Sequence, residues 1–170
     1  MADQKITQLT ELTALASGDY LVAVDDPGGS PQTKYITVAN SYIATRGFTI
    51  PMMDNSVAPT TGDSISGIYF PIPAQINGWN LIDADAALGV ASTDGVPTFQ
   101  IYNVTDSVDM LSTPITIDET EVTSFTAATQ PVIDTTNDDV ATGDQLRFDC
   151  DATGTSAKGL TFILVFGASS

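Results

Sequence analysis

Histidine is absent from all 170 residues, and with it go the commonest general base, the usual zinc ligand and the standard serine-hydrolase triad. Basic residues are nearly as scarce. Lys5, Lys34, Arg46, Arg147 and Lys158 are the only five, against 21 acidic residues, for a net charge of −16. Five scattered cations do not neutralise a run of phosphates, so nucleic acid is not an expected partner. The same charge is repelled by anionic lipid. No stretch approaches the roughly 20 apolar residues of a membrane span, so no membrane is expected either. The opening MADQKITQLTELT lacks the basic and then apolar regions of a secretory signal, which implies synthesis in a cytoplasm and exit by lysis or assembly. The lone Cys150 excludes an internal disulfide and a cysteine metal cluster. It lies in an alternating pattern and reads as a small buried hydrophobe. No metal and no cofactor are expected.

What is present is a folded chain. Apolar residues make up 42% of it and charged residues only 15%, outside the range of disordered sequences. Ile6, Leu9, Leu12 and Leu15 recur at strict intervals of three, beside Thr7, Thr10 and Thr13. On a helix of 3.6 residues per turn these positions drift around the cylinder, whereas an extended or 3₁₀ chain keeps them on one edge. They read as an arm with an apolar edge that needs a groove; the alternative is a short amphipathic helix on its own domain. Residues 19–25 and 33–38 are β-type runs joined by turn-forming Asp-Pro-Gly-Gly-Ser-Pro, which predicts a hairpin. One helical turn over 40–44 follows before Gly47 and Pro51.

Residues 1–48 are too few for an independent core and should be stable only when packed against something else. A composition of Asp, Asn, Ser, Pro, Thr and Gly marks 49–62 as a linker. Beyond it, predicted strands recur at 64–72, 79–88, 98–104, 108–111, 115–117, 121–127, 145–150 and 160–166. The fold class is therefore mainly β: an N-terminal extended arm and small hairpin, then an antiparallel, jelly-roll-like β-sandwich over 63–170. In 145–151, Leu146, Phe148 and Cys150 alternate with polar residues, a strand wet on one face. By contrast 159–167 is apolar on both faces, with Leu160, Phe162, Leu164 and Phe166 opposite Ile163 and Val165. Either a loop covers the second face or Ile163 and Val165 form a subunit interface.

The polar candidates for chemistry are few. Asp83 with Asp85, and Asp149 with Asp151, have the same-face spacing a glycosidase needs, but acidic groups are scattered along the whole chain and solvated surface accounts for them. Asp134, Asn137, Asp138 and Asp139 form the densest oxygen cluster without the ligand spacing of an EF-hand. Asn103-Val-Thr105 is a glycosylation acceptor by sequence only. Gly62-Asp63-Ser64 echoes the nucleophile block of an esterase family but lacks its histidine. Tyr69, Trp79 and Tyr102 offer a sugar-stacking platform, although in a sandwich such residues more often fill the core, the reading favoured here.

The segments KITQLTELTAL, GDYLVAVDD and TKYITVANSYI, within residues 5–44, resemble the N-terminal module of structural proteins of tailed bacteriophages, among them head and tail fibres. Residues 109–167 resemble a C-terminal β domain of phage virion proteins. The resemblance implies a homotrimeric appendage on the outer surface of the virion, made in the host cytoplasm. Attachment to the major capsid protein or another virion protein would fall to Ile6, Leu9, Leu12, Leu15, Tyr20, Val22, Val24, Lys34, Ile36 and Val38. A fibre usually carries a long shaft between these parts, and here only a short segment joins them. The expectation is thus a non-enzymatic capsid decoration, or cement, protein of the head-fibre type. The alternative is a short tail fibre or spike whose β domain binds a host glycan; an enzyme using two carboxylates is a third, weaker reading.

Overall fold

In a computed structural model of the chain, the described residues are those of two strands, 20–25 and 32–37, and the continuous stretch 45–168. The chain divides into two units, residues 1–44 and 45–169. In the first, β1 (Tyr20–Asp25) and β2 (Gln32–Thr37) pair antiparallel from Tyr20↔Thr37 to Asp25↔Gln32. This is the predicted hairpin. The predicted arm and the turn over 40–44 lie outside the described residues.

The second unit contains β3 (Thr45–Met53), β4 (Tyr69–Pro71), β5 (Trp79–Ala87), β6 (Thr98–Asn103), β7 (Val108–Asp109), β8 (Leu111–Thr113), β9 (Ile115–Thr116), β10 (Val132–Ile133), β11 (Asp139–Val140), β12 (Gln145–Ala152) and β13 (Leu160–Ala168). One sheet has the order β11-β5-β13-β3, the other β4-β12-β6-β7 with β9 also on β6, and β8 pairs β10 separately. Every pairing is antiparallel. Successive strands β3, β4, β5 and β6 alternate between the two sheets, as do β11, β12 and β13. The protein is mainly β, and this unit is a jelly-roll-like sandwich.

Its core is the meeting of two alternating rows. Leu160, Phe162, Leu164 and Phe166 of β13 are buried, as are Leu146, Phe148 and Cys150 of β12 and Phe99 and Ile101 of β6. Phe162 stacks on Phe148 with centroids 4.5 Å apart and takes the edge of Phe99 at 5.7 Å. Phe48 extends the cluster, 5.9 Å from Phe166 and 5.1 Å from Phe70, and so ties β3 of one sheet to β4 of the other. Offset and edge-to-face pairs of this kind contribute about 0.5–1.5 kcal/mol beyond the area they bury.

Two expectations are corrected. The segment 49–62 is not a linker from its start, because residues 45–53 are a full strand paired with β13 from Met53↔Leu160 to Thr45↔Gly167. Gly47 and Pro51 argue against a strand in sequence, yet β3 is terminal in its sheet among the described strands, where proline is tolerated. Inward Phe48, Ile50 and Met52 keep the two-residue period. The sandwich therefore begins at Thr45. The strand expected over 121–127 is instead a bridge at Thr123 to Ala87 and a 3₁₀ turn at Ser124–Thr126. There the Ser124 hydroxyl accepts the Ala86 N–H at 2.9 Å, a side-chain bond that competes with a ladder. The short strands β10 and β11 were not foreseen.

The loops at one end are cross-braced. Ser92 Oγ bonds the carbonyls of Asp94 and Gly95 and accepts from the Thr155 N–H at 3.2 Å. Gly154, at φ +65°, passes so close that a Cβ there would stand 2.3 Å from Ser92 Oγ, which only glycine allows.

Truncating the central ring should be costly: Phe162→Ala is expected to lose about 3–5 kcal/mol in urea unfolding of the full chain. Val132→Ala, at a half-exposed side chain, should stay within about 0.5 kcal/mol.

Candidate functional sites on the two outer sheet faces

The outward residues of the two sheets differ in character. On the four-stranded sheet, β13 turns Thr161, Ile163 and Val165 outward, each half-buried. Ile163 stands opposite Thr49 and Asp85, and Val165 opposite Gly47 and Asp83. A register shift in β5 between Asp83 and Leu81 sets Ile82 over β13. Its side chain lies 3.1 Å from where a Cβ on Gly167 would be, so the absence of a side chain at 167 leaves it room. Ile82 remains 49% exposed, and Phe125 and Val122, in the segment bonded to the end of β5, are 57% and 45% exposed. Isolated exposed apolar residues are ordinary, and Val122 and Phe125 belong to the Ala87–Leu88 end of β5 rather than to the position of Ile82.

Asp85 sits at the border of this face, buried, and its carboxylate accepts the Ser124 hydroxyl at 2.6 Å. Burial raises its pKa above the usual carboxylate range, the hydrogen bond from Ser124 opposes this, and the charge of Asp83 adds to it. The two aspartates thus divide into a buried acceptor and an exposed charge.

The five-stranded sheet presents a polar row across its strands. Arg147 of β12 stands opposite Tyr69 of β4 on one side and Tyr102 of β6 on the other, and Tyr102 stands opposite Asp109 of β7. The Arg147 guanidinium lies over the Tyr102 ring, 4.3 Å from its centroid. It is fixed by a two-pronged bond to Asp149, Nε to Oδ1 at 2.8 Å and Nη2 to Oδ2 at 2.7 Å, and reaches Asp63 at 3.2 Å. Those bonds with Asp149 raise the Arg147 pKa. Asp149, itself buried, also accepts the Ser64 N–H at 2.7 Å. Asp109 is held above the ordinary carboxyl range, first by burial and then by the charges of Asp149 and Asp151, against the pull of Arg147.

The remaining sequence candidates fall elsewhere. Trp79 lies on the four-stranded sheet, half-buried against the core, with Arg46 6.0 Å from its ring. It does not join Tyr69 and Tyr102. Asp134 closes its own turn, accepting Thr136 N–H at 3.0 Å, Thr136 Oγ1 at 2.7 Å and Asn137 Nδ2 at 2.9 Å, and the bonds from Thr136 lower its pKa. Asp138 accepts Asn80 Nδ2 at 2.7 Å. Among the described residues, no three acidic or thiol groups are placed to share a metal ion. Asn103 is buried, its side chain bonded to Asp106 at 2.8 Å and to the Thr105 N–H at 3.0 Å.

Of the attachment candidates, only strand positions are described. Tyr20, Val22 and Val24 pair with Thr37, Tyr35 and Thr33, whereas Lys34 and Ile36 pair with Ala23 and Leu21, the alternate set. These five positions thus belong to both sets of the hairpin. Ile6, Leu9, Leu12, Leu15 and Val38 lie outside the described residues. Sequence reasoning missed Arg147, Asp63, Asp109 and Ile82; the outward place of Arg147 was visible in its alternating strand, but its neighbours depend on register.

Compared with known proteins, the chain matches no family model and no curated protein.

Two solution measurements follow from these environments. The Cys150 thiol is buried, and burial first, then the nearby charge of Asp151, raises its pKa to about 11. A disulfide reagent at pH 8 should leave it unmodified in the native chain and label it fully in urea. For Asp85, a raised folded-state pKa means that the charged form is disfavoured by folding. Its contribution is favourable only at low pH and is lost as pH rises through the folded-state pKa. Asp85→Asn, which keeps an acceptor for Ser124, should raise the melting temperature slightly at pH 7.5 and leave it unchanged at pH 3.5.

Proposed function

We propose that this chain is a non-enzymatic structural protein of a phage virion that associates with copies of itself, as a trimeric decoration of the capsid. The N-terminal module attaches it to the major capsid protein or another virion protein, and the sandwich faces outward. The resemblance of residues 5–44 and 109–167 to phage modules motivates the setting. The observation that supports self-association is the apolar centre of the four-stranded sheet, where Ile163 and Val165 turn outward from β13, half-buried, and Ile82 lies over Gly167, 49% exposed.

Charge sharpens the argument. Copies that each carry −16 repel at a distance, so association relies on short-range apolar burial, at about 25 cal/mol per Å². Asp83, exposed at the edge of the patch, is a rim position where water still reaches. The attachment end follows a similar logic, since a two-stranded hairpin is marginal in water and gains stability by packing on a neighbour. Decoration so achieved needs no reaction: contact area added between capsid subunits opposes the pressure of packed DNA.

Native mass measurement of the full chain should give a trimer that strengthens with salt as repulsion is screened. The pair Ile82→Asp and Ile163→Asp should yield monomers at the same concentration with an unchanged circular dichroism spectrum. A wild-type monomer at micromolar concentration and at 0.5 M salt would sink self-association.

A further inference from the structure

We propose that the outer face of the five-stranded sheet binds a neutral glycan chain along the row Tyr69, Arg147, Tyr102 and Asp109. This inference is independent of the assembly reading, because it concerns the opposite sheet and holds for a monomer or a trimer.

Cross-strand register, rather than loop placement, builds the row. Its four residues stand directly opposite one another on β4, β12, β6 and β7. Strands lie roughly 4.8 Å apart, so the row extends about 14 Å in a line, the footprint of a short oligosaccharide rather than a single small molecule. It offers an aromatic ring, a guanidinium, a second ring and a carboxylate in succession. Tyr69 is 43% exposed. Neither tyrosine hydroxyl has a hydrogen-bond partner among the described residues, and Tyr102 is half-buried. Sugar rings suit such a row because their C–H faces lie on aromatic rings while their hydroxyls both donate and accept.

The row is also held in place before any ligand arrives. Arg147 is clamped by Asp149, which in turn is anchored by the Ser64 N–H, and the guanidinium covers one face of the Tyr102 ring, leaving the other face for a sugar. Binding therefore need not immobilise these side chains, which lowers its entropic cost.

Charge chooses the class of glycan. The positive charge of Arg147 is already matched by Asp149 and Asp63, and the charge of Asp151 is near enough to raise the pKa of Asp109. The face is net acidic, so sialylated, uronic or phosphorylated chains are repelled and neutral ones are not. A protein partner is disfavoured on the same ground of composition. Outward positions here are Gln145, Asp151, Gln100 and Thr98 around the row, without the apolar centre seen on the other sheet.

The test uses the labelled full chain on an array of neutral and acidic oligosaccharides, followed by saturation-transfer NMR on whichever neutral chains bind. The expected result is binding to neutral chains only, with saturation passing to sugar C–H groups. Tyr69→Ala and Tyr102→Ala should each weaken binding by about tenfold or more, Tyr69→Phe should keep most of it, and Phe125→Ala, near the other sheet, should not change it. No neutral chain bound at millimolar concentration, binding confined to acidic chains, or affinity unchanged in both alanine variants that melt like wild type would each overturn the proposal.

Discussion

The contact on which the sandwich depends is Phe162 against Phe148. Among the described residues it is the closest of the aromatic pairs that join the two sheets, and it lies on β13, the strand flanked by β3 and β5. A central strand has no free backbone edge, so its length and register are set by neighbours on both sides, and its inner side chains by the opposing sheet. Consequently the outward residues of β13 are also fixed in position. The apolar patch of Ile163 and Val165 and the polar row around Arg147 are displayed by the two partners in one packing contact, back to back across the same core.

Much of this was legible in the chain itself. The alternation in 145–151 and the double-sided apolar run in 159–167 gave β12 and β13 nearly to the residue, because period two and side-chain polarity suffice when a strand has one wet face or none. β3 was not legible, since Gly47 and Pro51 suppress strand propensity and only an edge position excuses them. Residues 121–127 erred in the opposite direction: β-branched content favoured a strand, while a serine hydroxyl captured the backbone of β5. The candidate sites were less readable than the fold. Tyr69 and Tyr102 were picked for their rings alone, and Trp79 with them. Pairing both tyrosines with Arg147 required a register between strands more than forty residues apart, information that no local pattern holds.

The acidic residues also have two distinct uses. Asp134 and Asp54 accept hydrogen bonds within their own turns, and their pKa values fall accordingly. Asp149 and Asp138 instead join distant segments, holding Arg147, Ser64 and Asn80. In a protein without histidine and with five cations, carboxylates take over tasks that basic side chains often perform, and most of their partners are neutral N–H and hydroxyl donors. Such bonds are short-ranged and barely sensitive to salt, in contrast to the repulsion among the remaining exposed charges.

Pro51 on the terminal strand β3 has a consequence of another kind. An uninterrupted rim of amide donors would let a neighbouring molecule add its own strand, then another, in growth without limit. The pyrrolidine ring removes one donor from that rim. Molecules at high local density are thereby discouraged from zipping into fibrils.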